Sequence, residues 1–246
     1  MLEDKVRECL DTGNQQLLDE IEKMIPVKFT FWGSDCYSCL VHKDELGAQC
    51  EAEIFYKEPL VQSKIAHELL HAKTSIILGD NGSMLTIDNQ SVPYKCLMKE
   101  IASNIVNVCE HVIFFPDYLN MGYKEEDCFE LPQNLNQSKQ VLAFFKLRGL
   151  KENGHYSVEK VFNYLTLTFS FLFYPNQNRF KKEIKILRNV DFPLFSIVNN
   201  LKNACFDCEI VPKNRSFIQQ SYLEFADKLN DWFANAFKGA VMMSKK

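Results

Sequence analysis

The chain has 246 residues, 46% of them hydrophobic and 24% charged, with a formal net charge of −4. That length gives one large domain or two small ones with enough chain for a core, and the composition excludes disordered, collagenous and heptad-dominated classes. The mild negative charge gives no whole-protein attraction to nucleic acid, and the nine cysteines behind an acid-bearing N-terminus point to reduced thiols in the cytoplasm.

Taken in chain order, residues 3–24 repeat apolar positions at helical spacing (Val6, Leu10, Leu17, Leu18, Ile21) until Pro26. VKFTFW (27–32) alternates as a strand does, and 36–41 and 50–56 read as two more, joined by a turn-rich segment. A long helical pattern follows Pro59 and closes at the loop GDNGS (79–83), with a short strand expected at 83–87. A second long helix is expected from about Tyr94 to Phe115, stopped by Pro116. The remainder reads as helices over 157–174, 177–189, 193–204 and 215–237. The apolar run 162–174 is 13 residues long and interrupted by Asn163, Thr166, Thr168 and Ser170. A membrane span needs about 20 predominantly apolar residues, so no membrane role is expected.

The expected fold class is α+β: mostly helical, with a small mixed sheet packed on one helix and a helical C-terminal part. The polar stretch PQNLNQSKQ (132–140) divides the expected domains, 1–131 and 132–246, with the second packed on the first.

The chemistry is concentrated at His67-Glu68-Leu69-Leu70-His71, an HExxH sequence inside an expected helix. The i, i+4 spacing sets two imidazoles one turn apart on one face, where both reach a single Zn2+. Glu68 is then the general base that activates a zinc-bound water. Two histidines on a polar helix face that bind nothing are the plain alternative. Burying both with a carboxylate and no metal costs several kcal/mol of desolvation, which favours the ion.

A catalytic zinc takes a third protein ligand, and the helix after Pro93 is its expected source. Its polar face carries Glu100, Asn104, Asn107 and His111 in one stripe, with Glu110 on the flank. His111 ranks first, with Asn107 able to orient it; Glu110 ranks second and Glu100 third. Glu100 and His111 lie three turns apart, about 16 Å, so they cannot share one ion.

HELLH, preceded by a strand-rich segment and followed by a second helix, resembles the compact zincin metallopeptidases, in particular the minigluzincins that include the ImmA/IrrE-type proteases. The resemblance covers about residues 27–123. It implies a metallopeptidase whose edge strand binds an extended protein or peptide substrate, a role falling on Glu51–Tyr56, and a Glu ligand from the next helix. EIASN (100–104) and IVN (105–107) are partial echoes of the Glu-Ala-Asn segment of that family. The run 107–123 is similar to bacterial HELLH proteins with an Asn-x-x-x-His helix ending in a Pro and a Gly-aromatic turn. In a hydrolytic site Tyr118 or Tyr123 is placed to hydrogen-bond the developing oxyanion. A zincin-like binding or sensing module without catalysis is the alternative function.

Three further signals are weaker. Cys36/Cys39 and Cys205/Cys208 form two CxxC pairs, read as core or edge thiols rather than a four-thiolate zinc site. The run 179–188 holds five cations and one acid, read as a solvated helix face before a nucleic-acid patch. No Gly-rich phosphate loop occurs, which disfavours a nucleotide enzyme. The sequence leaves the oligomeric state open.

Overall fold

The computed structural model describes residues 2–33, 36–79, 92–129, 142–143, 145 and 149–237, and the side chains of 2–4 and 92–104 fall outside that description. The fold is α+β and mostly helical, with a small mixed three-stranded sheet and a helical C-terminal part. The segments 83–87 and 132–140, and with the latter the expected boundary near residue 131, lie outside the described residues. Two compact units are each assembled from three stretches: Met1–Asp80, Ile113–Glu130 and Glu209–Arg215 in the first, Asn81–Val112, Leu131–Cys208 and Ser216–Lys246 in the second.

The first unit begins with two helices where one was expected, α1 (Leu2–Glu8) and α2 (Thr12–Glu22). The break is chemical. Asp11 is extended and its carboxylate accepts from the Asn14 amide at 2.8 Å, so it starts a new helix instead of continuing the old one. Strands β1 (Val27–Phe31), β2 (Ser38–Lys43) and β3 (Gln49–Tyr56) follow, in the order β1-β3-β2. β1 runs parallel to β3, with Val27 opposite Ala52, and β2 runs antiparallel, with Cys39 opposite Ile54. The strand expected to offer an edge to substrate, Glu51–Tyr56, is therefore the centre of the sheet, its main chain paired on both sides. The edges are β1 and β2. Strand order follows from long-range pairing, which local alternation does not encode.

One sheet face buries Val27, Phe29, Ala52, Ile54 and Tyr56, and β2 and β3 pack on α3 (Gln62–Leu78). Helix α3 is buried on all sides from Ile65 to Ala72, between the sheet and helices α2 and α5 (Glu125–Cys128). Its N-terminus is laced to α2: Asn14 Nδ2 donates to the Gln62 main-chain and side-chain oxygens at 3.0 and 2.9 Å. The Asp11 amide donates to Gln62 Oε1 at 3.0 Å. Its C-terminus stops at Gly79, whose φ of 81° lies in the left-handed region, with the Arg215 guanidinium against it.

Helix α4 (Val92–Asn120) runs through the division between the units and through Pro116, where a stop was expected. Proline removes one hydrogen bond there, but the helix continues to Asn120 and the Met121 amide still donates to Asp117 O at 3.1 Å. Gly122, at φ 87°, ends the turn that follows.

The second unit holds a hairpin, β4 (Lys151–Glu152) and β5 (His155–Tyr156), turned at Asn153-Gly154 with φ of 50° and 84°. Positive φ at both residues is the Asn-Gly hairpin signature, and it stands in the sequence at 153–154. Helices α6 (Val158–Leu172), α7 (Lys181–Val190) and α8 (Phe192–Phe206) pack on one another, and α9 (Arg215–Ala236) follows. Asp191 caps α8 by accepting from the Leu194 amide at 2.9 Å. The cations of 179–188 are exposed, while Phe180 and Leu187 are buried, so α7 is an amphipathic surface helix. Among the described residues no helix is long and apolar enough to cross a membrane.

Candidate metal centre

His67, Glu68 and His71 lie at the middle of α3, each 8–9% exposed, where the helix is buried all round. His67 Nε2 and His71 Nε2 face each other at 3.2 Å, with ring centroids 4.8 Å apart and planes at 70°. His111 on α4 joins them: one ligand nitrogen from each of the three histidines lies within 4.8 Å of the other two. His111 stands two residues before the stretch of α4 that belongs to the first unit.

The His67–His71 pair has the spacing that two ligands of one zinc ion require, and His111 lies within 4.8 Å of both. Tetrahedral coordination with Zn–N of 2.0–2.1 Å separates neighbouring nitrogens by about 3.4 Å, close to the His67–His71 distance. Burial, with smaller contributions from charge on His71 and Lys64, holds the His67 imidazole down at about 2, so the ring is neutral and carries a lone pair throughout the physiological range.

Glu110 is 8% exposed and is not in the cluster; its charge is felt instead by Tyr222 in the second unit, whose hydroxyl is pushed up mainly by burial, then by Cys109 and Cys205. Glu100 lies on α4 with its side chain outside the described residues. Asn107 is exposed.

Tyr118 is fully buried and its hydroxyl donates to Ser63 O at 3.2 Å; burial chiefly pushes that hydroxyl up. The Tyr123 hydroxyl donates to Asp11 Oδ2 at 2.5 Å and accepts from Asn14 Nδ2 at 3.0 Å. The Tyr118 hydroxyl thus ties α4 to α3, and the Tyr123 hydroxyl ties the turn after α4 to the start of α2.

Sequence reasoning missed Phe114. It is fully buried, and its ring centroid lies 5.4 Å from that of His67 and 4.9 Å from that of His71, perpendicular to both. Such edge-to-face pairs contribute about 0.5–1.5 kcal/mol each. The signal was its spacing: His111, Phe114 and Tyr118 recur at i, i+3 and i+7, one face of α4.

The two CxxC pairs lie apart in sequence and burial: Cys36 is exposed and Cys39 half-buried in the first unit, while Cys205 and Cys208 are buried in the second. Burial, opposed by the nearby Lys64 charge, pushes the Cys128 thiol up to about 12, which leaves it protonated and unreactive.

Comparison with protein-family models, with curated proteins and with solved structures gives no match.

Proposed function

We propose that this protein is a cytoplasmic zinc-dependent metallopeptidase that hydrolyses peptide bonds in a protein substrate. The observation that carries the reading is the convergence of His67, His71 and His111, with ligand nitrogens within 4.8 Å, around a helix that also carries Glu68. His67, His71 and His111 would hold the ion. When bound, zinc polarises a scissile carbonyl and makes water acidic enough to attack near neutral pH. Glu68 takes the proton of the attacking water and returns it to the leaving amine. The resemblance of HELLH and its flanking segments to compact zincins supports the same reading, as fold-level analogy. A chain with nine cysteines suits a reducing compartment. An extended substrate would pair with β1 or β2, the strands with open edges.

One observation favours a second reading, a zincin-like zinc-binding module without hydrolysis. His67, Glu68 and His71 are each under 10% exposed, a burial that suits a closed structural ion. Glu68→Gln separates the two. In the peptidase it abolishes cleavage while zinc and fold persist, read as new protein N-termini found in cells expressing the wild type and absent with the variant. Identical N-termini in both would leave the binding module standing.

A further inference from the structure

We infer that Phe114 is a positioning residue for the ion site: its ring locks His67 and His71 in the orientation that points their Nε2 atoms at each other. The inference rests on the metal-site reading above and adds to it a residue that no ligand motif contains. HExxH spacing brings two imidazoles to one helix face, but the spacing alone does not orient the rings. The torsion that turns an imidazole about its Cβ–Cγ bond has a broad, shallow profile. Among the described residues, the Phe114 ring lies against both imidazoles, perpendicular to each. Phe114 stands at 85° to the His67 plane and 86° to the His71 plane, with centroids at 5.4 and 4.9 Å.

The contact is built into rigid structure. Phe114 is 0% exposed, so its ring does not swing away into solvent, and it sits on the continuous helix that also carries His111 one turn earlier. One helix therefore supplies both a candidate ligand and the wall against which the other two ligands rest. Tyr118, one turn further, adds a perpendicular ring 6.4 Å from His67. An aliphatic side chain at 114 keeps the site buried and apolar but removes the flat ring that the imidazoles abut. The two histidines then sample other rotations, and binding an ion must first order them.

The test uses the full chain as wild type, Phe114→Leu and, as control, Phe29→Leu. Phe29 is equally a buried phenylalanine of the first unit, on the sheet. Zinc affinity is measured by competition with a chromophoric chelator, and the imidazole proton resonances of His67 and His71 are followed by NMR in metal-free protein. Phe114→Leu is expected to weaken zinc binding by about 10–100-fold, the range seen when a partner that orients a ligand is removed. It is also expected to broaden both imidazole resonances by exchange between ring rotations, beyond the shift that loss of the aromatic ring current alone produces. Phe29→Leu should change affinity less than about twofold, since substitutions without shared partners act independently. Should Phe114→Leu fail to fold, Phe114→Met, which keeps more volume, replaces it.

An affinity for Phe114→Leu no weaker than that of Phe29→Leu, with imidazole resonances as sharp as in the wild type, overturns the inference and leaves the ion site standing. A wild type that binds no zinc overturns the ion site, and the imidazole resonances then decide the positioning role alone.

Discussion

Glu53 is the most informative single residue for the sheet that supports the HExxH helix, and its removal should produce a stability loss that depends on pH. Its carboxylate joins all three strands. Oε1 accepts from Thr30 Oγ1 at 2.5 Å and from Lys28 Nζ at 3.2 Å on β1, and Oε2 lies 2.9 Å from His42 Nε2 on β2. The hydrogen bond from Thr30 first, then that from His42, lowers its pKa from the ordinary 4.5 to about 2, against a smaller opposing effect of burial. Taken at face value that fall is worth about 3.4 kcal/mol. The partners sit on the open sheet face, with Lys28 51% and His42 38% exposed, and screening there reduces the expected value to about 1–2 kcal/mol.

A lowered carboxylate pKa stabilises the fold above the unfolded value of 4.5, and the contribution is lost as pH falls toward 2. Urea denaturation of wild type and Glu53→Gln should therefore differ by about 1–2 kcal/mol at pH 7, and by roughly a quarter of that at pH 2.5. A difference that is the same at both pH values, or one that grows on acidification, would mean that the ionised Glu53 carboxylate does not stabilise the sheet.

Three other substitutions probe the packing and the site. Tyr123→Phe removes the hydrogen bond to the Asp11 carboxylate and should cost about 1.5–3 kcal/mol in chemical denaturation while zinc content stays unchanged. Gly79→Ala meets both a left-handed φ of 81° and the Arg215 guanidinium 2.9 Å from the new carbon; a loss of about 1–2 kcal/mol is expected in thermal melts, and Arg215→Ala in the same chain should recover only part of it. His111→Ala should weaken zinc binding by more than about 100-fold, beyond what outer partners contribute, whereas Glu110→Ala should leave it unchanged; the opposite ranking in a chelator competition would move the third ligand to Glu110.

Much of the architecture was legible because it is written in local chemistry. The 3.6-residue recurrence around Ile65, Leu69 and Leu70 marks α3, and alternation marks β1 and β3. Asp191 and Pro193 mark the start of α8. What was not legible depends on distant partners. Whether residues 3–24 form one helix or two turns on Asp11, whose capping bond to Asn14 is reinforced by Gln62, 51 residues on. Pro116 reads as a stop, yet the helix passes through it, because one missing backbone hydrogen bond does not outweigh buried Phe114 on one side and buried Tyr118 on the other.

The candidate site divides in the same way. The pair His67 and His71 is fixed by helix geometry alone. The neighbours Glu110 and His111 differ by about 100° around α4, so which of them faces α3 depends on how that helix is rotated, a property of packing that sequence spacing does not carry. Phe114 was passed over for the same reason: its apolar side chain reads as ordinary core until the imidazoles are seen against its ring.

Metal content decides whether His67, His71 and His111 bind zinc. Atomic emission on protein purified without chelator and re-equilibrated with zinc should give about one zinc per chain, as a single three-histidine site requires, and His67→Ala should lose it. A folded wild type that retains no zinc, or a His67→Ala variant that retains as much as the wild type, would mean that these histidines do not hold the ion.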